Sequence, residues 1–213
     1  MSSLKYSKFL AETVSEPIVP VRVAMHSHCI NSGYLLGDNP PSASLTNTAD
    51  AVCTVEKGGF AVLDMDAEIH GSVEVTFESF SEHNKNVRIT LGESLMEALG
   101  KIGEKNSTND HSVRDFTVMS SGYATVKSGN TGYRFVKIEA LECDVCIRCV
   151  RGIFVHRDIE RVGSFECSDA EVNKIWDVGA YTVFLNMQEY LLDGIKRDRL
   201  VWAGICTRRL KRY

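Results

Sequence analysis

Strict alternation of residue type between positions 67 and 77 constrains the fold of this chain more than any other feature. The odd positions are small or apolar and the even positions are mostly polar: Ala67, Ile69, Gly71, Val73, Val75 and Phe77 against Glu68, His70, Ser72, Glu74 and Thr76. Successive side chains of a β-strand point to opposite faces of a sheet. The pattern therefore predicts a strand with one buried face and one face in water.

Further short strands are predicted on both sides of this segment. Val87, Ile89 and Leu91 repeat the alternation, and apolar runs at 116–119, 133–141 and 145–155 have the length of strands. Glycine, asparagine and serine residues separate these runs, as is typical of turns. We therefore expect a mainly β chain with an antiparallel β-sandwich over residues 57–160. Residues 1–56 are expected to form a strand or two and loops.

The period of the pattern becomes helical after residue 160. Ser168 and Glu171 have the spacing of a capping box, which starts a helix by satisfying its first free amides. The apolar residues that follow lie three or four positions apart and predict one stripe along five turns: Val172, Ile175, Trp176, Gly179, Ala180, Val183, Met187 and Tyr190. Such a wide apolar face needs another surface to cover it, so we expect self-association through this helix if it is exposed.

Composition excludes several classes of partner. The 213 residues carry a formal net charge of −4, which gives no basic surface for nucleic acid. No apolar run reaches the roughly 20 residues of a membrane span, and the N-terminal residues lack the apolar core of a secretion signal. Seven scattered cysteines suit a reducing compartment. We therefore expect a cytoplasmic protein that binds a neutral or weakly charged small ligand.

Two groups of residues have some of the character of a metal site. Cys143, Cys146 and Cys149 are regularly spaced, but a strand would point the middle thiol away from the other two. His26 and His28 could share one strand face, yet the sequence offers no evident third ligand. Packing roles are therefore expected for these residues, and neither a metal nor another cofactor is predicted.

Residues 193–204 concentrate polar chemistry in a short stretch after the predicted helix. The stretch contains Asp193, Asp198, Arg197, Arg199 and Trp202. A carboxyl group held between guanidinium groups beside an indole could be a positioned acid facing a sugar ring. The same charges could also form a solvated surface without any catalytic role. The residues alone leave both interpretations open.

Several motifs together resemble the bacterial α-L-rhamnosidases of glycoside hydrolase family 78. The resemblance rests on Gly163 to Asp169, Asp193 to Arg199, and Trp202 to Gly204, with Gly92-Glu93 and Gly132 to Ile138 upstream. It covers about residues 58–204. It implies a jelly-roll-like β-sandwich followed by a C-terminal helix that begins an α/α barrel, most of which this chain lacks. It also implies inverting hydrolysis of terminal α-L-rhamnosides, with a rhamnose-containing oligosaccharide or glycoside as partner.

The resemblance implies a role for each polar residue of the stretch. Asp198 stands at the position of the family's catalytic acid, where a glutamate is usual, and Asp193 at that of a carboxylate that binds sugar hydroxyls. Arg197 and Arg199 would orient carboxylates or the sugar, and Trp202 would form an apolar wall. Neighbouring arginines favour a charged carboxylate, which opposes proton donation unless burial offsets them. The family's general base lies downstream of this chain, so the chain alone is expected to be inactive.

The last nine residues depart from the family pattern. The family has an aspartate after its Trp-x-Gly motif, whereas here residues 205–213 form a basic tail. One possible set of codons for residues 204–213 can be read in a shifted frame that starts at the last base of codon 204. In that frame the codons encode Asp-Met-His-Pro-Glu-Thr-Glu-Thr-Val. Our hypothesis is that a one-base insertion near codon 204 puts residues 205–213 out of frame, after a catalytic-domain start at 161–204.

A second class of function remains open. The sandwich could act as a stand-alone carbohydrate-binding or interaction module, with the helix merely covering one of its ends. The stretch from Asp193 to Trp202 separates the two hypotheses, because a glycosidase uses such residues and a binding module does not.

Overall fold

The computed structural model describes residues 12–39, 51–78, 85–104, 113–120 and 122–201. Its strands are β1 Thr13–Ile18, β2 Arg22–Ile30, β3 Cys53–Phe77, β4 Lys85–Gly92, β5 Asp115–Ser120, β6 Thr125–Ala140 and β7 Val145–Arg157. The helices are a short 3-10 helix at Ser32–Leu36, α1 Leu95–Leu99 and α2 Ala170–Asn186. The chain separates into two compact units, of which one is Glu16–Phe154 and the other contains the described residues 12–15 and 155–201.

The strands join in the order β1-β7-β3-β6-β4-β5, with β2 paired to β3. The pairs β2/β3, β3/β6, β6/β4 and β4/β5 are antiparallel, and β7 runs parallel to β3. The predicted fold class, a mainly β antiparallel sandwich followed by a C-terminal helix, is confirmed. The predicted strands at 87–91, 116–119, 133–141 and 145–155 correspond to β4, β5, β6 and β7.

The 25-residue strand β3 organises the sheet. Its first half pairs with β2 and its second half with β7, while β6 follows it on the other side. The register with β6 shifts between Asp64 and Ile69, where Asp66 has a left-handed φ of 74°. Such an irregularity bends a strand and increases its twist. One strand can therefore take part in two sets of pairings.

The hydrophobic core lies on the inward positions of β3, β4, β6 and β7. Its fully buried members include Leu63, Val73, Val75, Phe77, Val87, Ile89, Leu91, Tyr133, Val136, Ile138 and Ile147. The inward positions predicted for β4 are all in this set, and so are three of those predicted for 67–77. Each large apolar side chain that leaves water contributes about 1.5–3 kcal/mol.

The prediction that the even face of 67–77 lies in water is wrong for three positions. His70, Ser72 and Thr76 are buried. The hydroxyl group of Thr76 lies 2.8 Å from that of Thr125, and the hydroxyl of Tyr133 donates to the backbone carbonyl oxygen of Ser72 at 2.7 Å. Polar groups with hydrogen-bond partners can be buried at low cost. The alternation therefore predicted the buried odd positions from Ile69 to Phe77 but not the burial of these even ones, and Ala67, predicted to be buried, is exposed.

Buried charged side chains in the Glu16–Phe154 unit form ion pairs. Asp64 receives a hydrogen bond from Arg134 Nε at 2.7 Å and another from Arg22 Nε at 2.9 Å. Burial alone would raise the pKa of Asp64, but hydrogen bonds from Arg134, the Asp66 amide and Arg22 outweigh it and hold the pKa below its usual value. A second buried pair joins Arg114 Nε to Glu97 Oε1 at 3.4 Å.

Helix α2 begins one residue later than the capping box predicts. Its N-cap is Asp169, whose Oδ1 accepts from the amides of Glu171 and Val172, so the assignment of Ser168 as the cap is wrong. A carboxylate suits this position because it also interacts favourably with the positive end of the helix dipole. Asn173 reinforces the start of the helix by bonding to both backbone groups of Cys167.

The apolar stripe of α2 is largely uncovered. Of its members, Val172 is 40% and Ile175 65% exposed, whereas Leu185 near the end of the helix is buried. The helix ends at Asn186, so the prediction that the helical stripe continues to Tyr190 is wrong. No helix among the described residues is long and apolar enough to cross a membrane.

Candidate functional site

Residues 193–200 form a loop that is closed by Asp193. The amide of Asp193 donates to the carbonyl oxygen of Leu200 at 2.9 Å, and the amide of Leu200 donates to Asp193 Oδ1 at 2.8 Å. One aspartate therefore ties both ends of the loop together through its backbone and its side chain. We call residues 193–200 the carboxylate loop.

Burial along the carboxylate loop separates its base from its tip. Ile195 and Lys196 are buried, as is Leu192 just before the loop. Arg197, Asp198 and the two residues after them are exposed. The buried residues hold the loop in place, and the exposed residues 197–199 form its charged tip.

The tip of the loop carries a carboxylate between two arginines. Arg197 Nε lies 3.8 Å from Asp198 Oδ1, and the side chain of Asp198 is 40% exposed. An ion pair in this much water contributes little to stability. Arg199 has a left-handed φ of 52°, a conformation that is uncommon for a residue with a side chain. Uncommon backbone conformations are found preferentially at functional sites.

The structure brings four of the five predicted site residues onto this one loop. Asp193 closes it, and Arg197, Asp198 and Arg199 occupy its tip. The fifth, Trp202, lies outside the described residues. The contact between Asp193 and Leu200 adds a positioning role to the sugar-binding role that the resemblance implies. The roles of all five residues in catalysis and binding stay predictions.

Arg157 helps to fix the segment between α2 and the carboxylate loop. Its Nε donates to the carbonyl oxygen of Gln188 at 2.8 Å. The side chain of Gln188 in turn donates to the carbonyl oxygens of Leu185 at 2.9 Å and Val155 at 3.3 Å. Sequence reasoning missed this arginine, because no local pattern connects a residue at the end of a strand with a turn 31 positions later.

Trp176, the aromatic residue in the middle of α2, is covered by a cation. The guanidinium carbon of Arg161 lies 4.4 Å from the centre of its ring, and the ring of Phe165 is stacked at 6.2 Å. Arg161 also pairs with Asp177 at 2.7 Å. The arginine therefore occupies a face of the indole that a sugar would need, and the cation–π contact itself is favourable.

The described residues bring no three His, Cys, Asp or Glu side chains together as a metal site. Cys146 and Cys149 are buried in β7, while Cys143 lies just before that strand and is half-buried. Burial raises the pKa of Cys146 and of Cys149, which favours the protonated thiol over the thiolate that binds metals.

Residues 160–208 match the sequence model of the bacterial alpha-L-rhamnosidase 6 hairpin glycosidase domain. The matched region contains α2 and the whole carboxylate loop. A curated alpha-L-rhamnosidase from Formosa agariphila is 30% identical over 73 residues, which are 34% of this chain and 8% of that protein. The family match at residues 160–208 therefore covers the segment that carries the candidate site.

Solved structures extend the similarity to the whole fold. The rhamnosidase from Klebsiella oxytoca with rhamnose bound has a TM-score of 0.69 at 18% identity, covering 93% of this chain and 40% of its own. The family 78 rhamnosidase of Bacillus sp. GL1 has a TM-score of 0.59 at 18% identity, covering 83% of this chain and 18% of its own. At such identities the likeness shows the fold alone.

The fold and the matched segment are similar to a class of protein in which a β-sandwich precedes a helical glycosidase domain. Within that class, residues 160–208 resemble the catalytic domain of the bacterial α-L-rhamnosidases. The chain spans less than half the length of the rhamnosidases named above.

Proposed function

We propose that this chain supplies the accessory sandwich and the first part of the catalytic domain of an enzyme that hydrolyses terminal α-L-rhamnosides with inversion. The observation that carries the proposal is the family match over residues 160–208, because it contains the loop that presents Asp198 between two arginines. The remaining part of the helical domain would come from sequence that this chain does not contain.

Inverting hydrolysis requires two carboxyl groups with different tasks. One protonates the departing oxygen, and the other, about 6.5–9.5 Å away, activates water on the opposite face of the sugar. We assign the first task to Asp198. The second carboxylate belongs to the remainder of the helical domain, so the 213-residue chain is expected to show no turnover.

The surroundings of Asp198 set a condition for this role. The side chain of Asp198 is 40% exposed, and Arg197 lies beside it. Removal of water by a covering protein surface generally favours the protonated form of a carboxylic acid. A completed helical domain that closes over the carboxylate loop would provide that cover.

The other loop residues are given supporting tasks. Oδ1 of Asp193 holds the Leu200 amide, and Oδ2 is the atom proposed to accept a hydrogen bond from a sugar hydroxyl. Arg197 and Arg199 would orient the sugar or the catalytic carboxylates, because guanidinium groups bind oxygen atoms in fixed directions. Trp202 would offer a flat apolar wall to the sugar.

The test uses a chimera in which residues 1–204 are followed by the remaining helical hairpins of a family 78 rhamnosidase. Its hydrolysis of an aryl α-L-rhamnoside is compared with that of Asp198→Asn and Asp198→Glu. Loss of a general acid typically costs about 10²- to 10⁴-fold in kcat, so we expect such a loss for the asparagine and retained activity for the glutamate. NMR should show the inverted anomer as the first product.

The matched control is Asp177→Asn, which changes an exposed carboxylate that also lies beside an arginine but sits on α2. Its activity should stay within about twofold of the parent. If the activity of Asp198→Asn also stayed within that range of the parent, Asp198 would not be the catalytic acid. Substantial turnover by the 213-residue chain itself would show that the second carboxylate is already present.

A further inference from the structure

We propose that Cys29 and Cys53 form a modification site, at which a small-molecule disulfide such as oxidised glutathione converts the two thiols into a disulfide between β2 and β3. The two Sγ atoms lie 3.3 Å apart. Neither residue belongs to the carboxylate loop, so this inference is independent of the proposed function.

Strand register places the two cysteines on the same face of the β2/β3 pair. Cys29 is opposite Val55, and Cys53 lies two residues before Val55, so the cysteines are diagonal neighbours. The side chain of Asn31 donates to the carbonyl oxygen of Val52 at 3.0 Å and fixes the adjoining ends of the segments. A disulfide bond requires the two sulfur atoms to approach from 3.3 Å to about 2.05 Å.

The environments of the two thiols differ, and this sets the order of reaction. Cys29 is half-buried, whereas Cys53 is completely buried. The hydrogen bond from Cys53 lowers the pKa of Cys29, against the opposing effects of burial and of Glu56, and the same contact raises the pKa of Cys53. Because the thiolate is the reactive form of cysteine, Cys29 reacts first and Cys53 second.

The reaction proceeds by two thiol–disulfide exchanges. The Cys29 thiolate attacks one sulfur of oxidised glutathione, which forms a mixed disulfide and releases one glutathione thiolate. Cys53 then loses its proton to that thiolate or to solvent and attacks Sγ of Cys29, which releases the second glutathione. Two protein thiols are oxidised to one disulfide, and one glutathione disulfide is reduced to two thiols.

The described chain contains suitable comparison cysteines. The thiol of Cys143 donates to the carbonyl oxygen of Asp144 at 3.3 Å, and that of Cys167 to the carbonyl oxygen of Asp169 at 3.4 Å. Both are half-buried, like Cys29, and each thiol donates to a backbone carbonyl oxygen. They therefore separate the effect of accessibility from the effect of a neighbouring thiol.

The experiment treats the full reduced chain with oxidised glutathione, blocks the remaining thiols and identifies linked peptides by mass spectrometry. We expect a Cys29–Cys53 bridge without retained glutathione, lost in Cys29→Ser and kept in Cys143→Ser. The bridge closes a loop of 24 residues, which should raise the Tm by about 10 °C. The bridge should lose its preference over other pairings when the reaction is run in denaturant.

Three results would overturn the proposal. One is glutathione that remains on Cys29 while Cys53 stays reduced, and another is the absence of reaction at Cys29 under conditions that modify Cys143. The third is a mixture of pairings in the folded chain that equals the mixture in denaturant. Because Cys29→Ser changes a half-buried position and keeps a hydrogen-bonding group, it tests the site even if Cys53→Ser fails to fold.

Discussion

The unit at residues 16–154 and the segment at residues 155–201 use their apolar side chains differently. In the first, Leu63, Ile89 and their neighbours are completely buried around β3. In the second, Ile175 and Val178 on α2 are mainly exposed, although the segment carries the candidate catalytic residues. The side chains that stabilise this chain and its candidate catalytic residues therefore lie in different segments.

A matched pair of truncations tests that contrast most strongly. Leu63→Ala removes a fully buried side chain and should lower the free energy of unfolding by about 2–5 kcal/mol, because it leaves a cavity. Ile175→Ala changes an exposed helical position and should alter it by less than about 0.5 kcal/mol. Urea unfolding followed by circular dichroism measures both changes. A cost for Ile175→Ala as large as that for Leu63→Ala would show that α2 is covered in solution.

The paired carboxylate of Asp64 provides a smaller, pH-dependent effect. Because the pKa of Asp64 is lower in the folded chain, its ionisation stabilises the fold above the unfolded value of about 3.9. That contribution is lost as the pH falls through the folded pKa. At pH 7, Asp64→Asn should cost about 1–3 kcal/mol through weakened charged hydrogen bonds.

Unfolding titrations between pH 7 and pH 3 check this prediction. The difference between the parent and Asp64→Asn should shrink towards the acid end. Asp38→Asn is a suitable control, because that carboxylate also pairs with an arginine but is largely exposed. A difference that stays constant across the range would contradict the assigned cause.

The smallest expected effect concerns the carboxylate loop. Asp193→Ala removes the acceptor of the Leu200 amide, and a typical intramolecular hydrogen bond contributes roughly 0.5–1.5 kcal/mol. Hydrogen exchange at that amide should therefore accelerate by about tenfold. Asp193→Asn keeps an acceptor oxygen and should show a smaller change. Unchanged exchange in both variants would show that the side chain does not close the loop.

Much of the β architecture could be predicted, because alternation reflects strand geometry directly. The inward positions of β4 were predicted from Val87, Ile89 and Leu91, and all three are buried. Exposure of the opposite face could not be predicted for Ser72 and Thr76, since it depends on which strands and hydroxyl groups become neighbours. The predicted start of helix α2 was wrong for a related reason. Asp169 and Ser168 are both good N-cap residues, and local geometry selects the aspartate.

The candidate site was predicted through resemblance rather than from pattern. The order of residues in the carboxylate loop indicated the family, but no spacing rule predicts that the Asp193 side chain bonds to Leu200. Arg157 holds the segment before the loop through a hydrogen bond to Gln188, a residue 31 positions away in the sequence. Self-association through α2, the out-of-frame tail, the cytoplasmic location and the alternative binding-module function stay predictions.

The parallel pairing of β3 with β7 has a consequence for how the chain reaches its native state. Val75 pairs with Val150, so the sheet cannot acquire this neighbour until β7 has left the ribosome. Pairings between residues so far apart in the sequence slow folding. Until β7 is in place, the unpaired edge of β3 can associate with other chains. We therefore expect yields of soluble protein to depend on synthesis temperature and on chaperone supply.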